Sequence, residues 1–100
     1  MSDLCLTMVF PPLLEEKLLD ALLLSASDRV FTSVAASAHG LRHDRMDDTE
    51  RVRGRSRATH VQIVISASEK DALVAMLRER FSGTGLRYWV TPVIETGGPL

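Results

Sequence analysis

The sequence predicts an α+β domain of βαββαβ order, on three observations. Four segments alternate with a period of two, two segments carry apolar residues at helical spacing, and one long charged stretch interrupts the alternation between the second and third strands.

Leu4, Leu6, Met8 and Phe10 alternate with Asp3, Cys5, Thr7 and Val9, which reads as a strand stopped by Pro11-Pro12. Pro12 suits a first helical turn, and Glu15 and Glu16 complement the positive end of a helix dipole. Leu14, Leu18, Ala21, Leu22 and Ser25 then recur at helical spacing, so a first helix is expected to end near Ser25. From Val30 to Ala38 the alternation returns. It sets Val30, Thr32, Val34 and Ala36 on one side and Phe31, Ser33, Ala35 and Ser37 on the other.

Between 39 and 57 the periodicity disappears, and this long loop holds six arginines, four acidic residues and two histidines. A third strand is expected from Ala58 to Ser66, with Val61, Ile63 and Ile65 pointing opposite to His60, Gln62 and Val64. Ser68 with Asp71 three residues on has the form of a capping box, and Leu73, Met76, Leu77 and Phe81 give a second helix its apolar stripe. Gly83 supplies the helix stop. The last strand is expected from Leu86 to Ile94, at a sheet edge because Pro92 has no N–H to donate to a ladder.

Two βαβ halves with right-handed crossovers place both helices on one face, giving a ferredoxin-like antiparallel sandwich with sheet order 4-1-3-2 and a single domain over 1–100. The other face is expected to present Cys5, Thr7, Val9, Phe31, Ser33, Ala35, His60, Gln62, Val64, Arg87, Trp89, Thr91 and Val93. A wetted antiparallel sheet would carry many Lys, Glu and Thr there, whereas Arg87 is the one full charge in this set, so the face reads as a self-association surface. A chain of 100 residues closes only a modest core, and association that hides further apolar surface would stabilise it.

A net charge of −1 gives no global pull toward nucleic acid or an anionic membrane. Cys5 is alone and cannot close an internal disulfide, the start Met1-Ser2-Asp3 lacks the basic and apolar regions of a secretory leader, and no apolar run approaches about 18 residues. A cytoplasmic protein without direct membrane insertion is expected. No nucleophile stands in a catalytic motif, no loop has the phosphate-cradling pattern of a P-loop, and no paired carboxylates stand in apolar surroundings, so an enzyme is not expected.

Several strings resemble the PII signal-transduction superfamily. Val30-Phe31-Thr32-Ser33-Val34 leading to His39-Gly40 is similar to the PII strand that ends in a glycine at the base of the long T-loop, and Val61-Gln62-Ile63-Val64-Ile65 is similar to the strand after it. Gly83-Thr84-Gly85 before Arg87-Tyr88-Trp89-Val90, followed by Pro92-Val93-Ile94-Glu95, is similar to the PII B-loop and its strand. The start Asp3-Leu4-Cys5-Leu6-Thr7, the run His39-Gly40-Leu41 and the string Leu86 to Val93 look more closely like a short, uncharacterised PII-like family found beside heavy-metal efflux pumps of the RND type.

The resemblance implies a homotrimer that packs its open sheet faces around a central axis, a signalling role exerted by the 39–57 loop on a partner protein such as a membrane transporter, and an adenine-nucleotide cleft with Gly40, Gly83, Gly85 and Arg87 at the matching positions. The sequence also departs from that pattern. Uridylylated members use a T-loop tyrosine, and the single tyrosine here is Tyr88, inside the fourth strand. An arginine pair that grips phosphates beyond the last strand is not present up to Leu100.

Within the loop, His39 and His43 stand four apart with Asp44 and Asp47 close behind, a spacing that can bring two imidazoles and a carboxylate around one ion of Cu, Zn, Ni or Co. Cys5 and His60, expected on adjacent strands of one face, could share a metal through a thiolate and an imidazole, although a packed interface thiol and a hydrogen-bonded histidine are the favoured reading. Arg51, Arg53, Arg55 and Arg57 recur every second residue, so an extended chain presents all four on one side, suited to phosphate or to an acidic partner surface. Interspersed Asp44, Asp47, Asp48 and Glu50, and the lack of stacking aromatics on central strands, argue against nucleic acid. Three readings stay open: a PII-like regulator that docks its loop on a partner, a transition-metal sensor or buffer, and a nucleotide-binding PII variant.

Overall fold

A computed structural model describes residues 2–26, 29–40 and 55–100. The chain runs β1 (Asp3–Phe10), a 3-10 turn (Pro12–Leu14), α1 (Glu15–Ser25), β2 (Phe31–His39), β3 (Arg55–Ser66), α2 (Ala67–Arg80) and β4 (Arg87–Val93). All strand pairs are antiparallel and the sheet order is β2-β3-β1-β4, which is the predicted order read from the other edge. β4 is an edge strand, with Pro92 opposite Leu4, as the proline requires.

Apolar alternation makes the core. Leu6 stands opposite Ile63 on one side and Val90 on the other, and Met8 opposite Val61 and Tyr88, so these residues share one side of the sheet. Leu18, Ala21 and Leu22 of α1 and Leu73 and Leu77 of α2 close over them together with Phe81. Each of the Leu and Phe side chains, buried completely, stabilises the fold by roughly 1.5–3 kcal/mol. Both helices therefore lie on one face. Among the described residues no helix is long and apolar enough to cross a membrane.

Three local expectations are corrected. The capping box of α2 is formed by Ser66 and Glu69, not by Ser68 and Asp71: the Ser66 N–H donates to Glu69 Oε1 at 2.9 Å, a reach that the shorter Asp side chain lacks. β3 begins at Arg55 rather than Ala58, so Arg55 and Arg57 are strand residues, opposite His39 and Ser37. Because β1 ends at Phe10, opposite Thr59, the paired ends of β2 and β3 run past it as a two-stranded ribbon.

The third correction concerns the faces of β2. Phe31, Ser33 and Ala35 stand opposite Ile63, Val61 and Thr59, on the helix side, and Phe31 packs against the core. Thr32, Val34 and Ala36, opposite Gln62, His60 and Ala58, therefore occupy the uncovered face in their place.

Candidate functional site

At the ribbon end of the uncovered face lies a cleft of about 470 Å³. Val9, Phe10 and Pro11 form its floor where β1 stops, Ala38, His39 and Ala58 form the ribbon wall, and Thr84 and Gly85 bring in the turn before β4. Arg87 and Trp89, from β4 itself, complete it. Segments far apart in sequence meet here because β1 pairs with both β3 and β4: Val9 stands between His60 and Arg87.

The turn into β4 is possible because Gly83 and Gly85 hold φ of 78° and 88°, backbone space that residues with a Cβ rarely occupy. Gly40 holds φ of 79° at the foot of the segment that follows β2. Trp89 is 46% exposed, and its ring lies 6.0 Å from that of His60 at 57°, a tilted aromatic contact. Between Gln62 and Trp89 on the neighbouring strands sits Thr7, which is buried although it is on the uncovered face; Gln62 Nε2 donates to its Oγ1 at 3.3 Å.

Of the residues singled out in the sequence, His39, Gly85 and Arg87 come together in this cleft. Gly83 lines a smaller hollow of about 150 Å³ on the helix side, with Arg78 and Tyr88, where Arg78 Nη2 donates to the Tyr88 hydroxyl at 2.9 Å. Gly40 adjoins His39 but lines neither hollow. Arg55 and Arg57 are exposed on β3, on the side shared with Thr59 and Val61. His43, Asp44, Asp47, Arg51 and Arg53 lie outside the described residues.

The strand register sets Cys5 and His60 too far apart to share one ion. Cys5 stands opposite Val64 and His60 opposite Val9, an offset of four residues or about 13 Å along the strands, too far for one metal. Among the described residues no three His, Cys, Asp or Glu side chains gather where they could hold an ion. Trp89 and Thr84 are further cleft residues; the sequence signal for Trp89 is its place two residues beyond Arg87 on the same strand face.

The family model described as "Protein of unknown function (DUF3240)" matches residues 1–99. A crystal structure of a DUF3240 family protein from Shewanella baltica superposes with a TM-score of 0.76 at 15% identity, over 98% of this chain and 97% of that one. A putative PII-like signaling protein from Thermus thermophilus gives 0.66 at 15% identity, over 93% and 88%. GlnK of B. subtilis gives 0.63 at 20% identity, over 96% and 89%. These likenesses establish a PII-like fold. No curated protein matches the sequence.

Proposed function

The chain belongs to the DUF3240 family, and from that premise we propose that it is a PII-like regulatory protein rather than an enzyme. It assembles as a homotrimer through its uncovered sheet face, takes an effector in the 470 Å³ cleft, and signals by docking the 39–57 loop on a partner protein, a membrane transporter of heavy-metal efflux being the partner that the sequence resemblance implies. The observation that carries this reading is the meeting of His39 with Gly85 and Arg87 around one cleft. A ligand there touches the foot of the charged segment and the turn into β4 at once, so its binding energy is available to bias the segment that follows Gly40.

With β2 placed correctly, the face proposed for assembly exchanges Phe31, Ser33 and Ala35 for Thr32, Val34 and Ala36 and still carries few charges. Cys5, Val34, Ala36 and Val64 share it outside the cleft, while Val9, Ala58, Arg87 and Trp89 at its ribbon end line the cleft, and its charges, Asp3 and Arg87, stand near opposite ends of β1. Sedimentation of the purified chain at micromolar concentration tests assembly: three associated chains support the reading, and a well-behaved monomer removes its foundation.

Two alternatives concern the ligand. One is the adenine nucleotide that the sequence resemblance implies for Gly85 and Arg87, both of which line the cleft; heat on titration with ATP, ADP or AMP would support it, and no heat with any of the three ends it. A transition-metal sensor using His39, His43 and Asp44 has His39 at the ribbon end in its favour. Titrating Cu, Zn, Ni and Co into wild type and into a protein carrying both His39→Ala and His43→Ala decides it, since equal affinity in the two proteins removes the site.

A further inference from the structure

Arg87 is exposed at the cleft, and among the described residues no carboxylate pairs with it. It is the one permanently charged side chain among the described lining residues; Val9, Pro11, Ala58 and Trp89 make most of the remaining wall apolar. Arg87 and Trp89 are two residues apart on β4, so both project from the same side, about 7 Å apart along the strand. A guanidinium binds an acid in a forked, charge-assisted geometry, and an indole face beside it accepts a flat ring.

We infer that the cleft binds a small organic mono-acid built on a flat apolar ring, with the acid on Arg87 and the ring against Trp89. The inference rests on the reading of this cleft as the effector site, and it names the class of effector. One guanidinium balances one negative charge. Among the described lining residues a polyphosphate would bring further charges against the apolar side chains of Val9, Pro11 and Ala58, which offer them no hydrogen bond, and this disfavours it.

Calorimetric titration with naphthoate, with its neutral counterpart naphthalenemethanol and with ATP tests the class. Naphthoate should saturate and quench Trp89, which is the only tryptophan. The alcohol should bind about tenfold more weakly, as expected for one lost charge-assisted pair, and ATP more weakly than naphthoate. Arg87→Gln should bring naphthoate down to the affinity of the alcohol and leave the alcohol unchanged. Equal affinity for naphthoate and the alcohol in wild type overturns the assignment without recourse to any variant. Tighter binding of ATP than of naphthoate overturns the mono-acid class and leaves the cleft as an effector site, whereas no saturable binding by either ligand overturns both.

Discussion

Phe31 stands opposite Ile63, and this pairing decides which side of β2 meets the helices and which is left for a partner. Val34, at 60% exposure, is on the uncovered face, while Ser33 next to it is exposed on the helix side. If the uncovered face holds the subunits together, Val34→Glu should convert the assembly to monomers and Ser33→Glu should not. A surface change at either position should alter the stability of the separated chain by no more than about 0.5 kcal/mol. Sedimentation with a parallel denaturant melt checks both, and unchanged assembly in Val34→Glu would place the interface elsewhere.

Glu69 ties three segments together. It accepts from the Ser66 N–H at 2.9 Å and from the Ser66 hydroxyl at 2.8 Å, and it pairs with Arg29 ahead of β2. The Ser66 hydrogen bonds, chiefly that of its backbone, and then the Arg29 guanidinium hold the Glu69 carboxyl below its ordinary value of 4.5. A depressed folded-state pKa stabilises the fold above the unfolded-state value, and that contribution is lost as pH falls through the folded one. Glu69→Gln should therefore lower the denaturant midpoint at pH 7, with a gap from wild type that narrows as pH drops below 4.5. A gap that stays constant to acidic pH would contradict the role given to this carboxylate.

Ser66→Ala removes the same cap from the other side. It should cost about 1 kcal/mol, read as a shift of the denaturant midpoint with an unchanged slope.

Gly83 has φ of 78°, and a Cβ added there would meet nothing within 4 Å, so a substitution costs backbone strain rather than a clash. Gly83→Val should destabilise by about 1–2 kcal/mol, and Gly83→Asn by less, since Asn tolerates this conformation. Equal losses would point to packing in place of strain.

Ile63 is buried to 1% exposure between the two helices and the sheet centre. Ile63→Ala should cost about 2–5 kcal/mol, a large share of the stability of a domain this small, and equilibrium unfolding measures it.

The order of elements and the sheet were legible because strong period-two alternation in β1 and β3 leaves one assignment of faces, and because Pro92 marks an edge. β2 was legible as a strand but not in its orientation. Val30, Thr32, Val34 and Ala36 are no more apolar than Phe31, Ser33, Ala35 and Ser37, so the faces are set by pairing with β3, a long-range property. The cap was misplaced because Ser66 and Ser68 both precede an acid by three residues, and only the position of the first helical residue separates them. His39, Gly85 and Arg87 were each visible in the sequence, whereas the apolar walls at Val9, Pro11 and Ala58 come from strand ends that only register brings together.

Native mass spectrometry of the purified chain tests the central claim most directly, because it counts subunits and retained ligands in one spectrum. The account predicts three chains, and a mass shift when a ligand of the cleft is added. A spectrum of single chains that carry no ligand, at micromolar protein and in the presence of naphthoate or ATP, would contradict it.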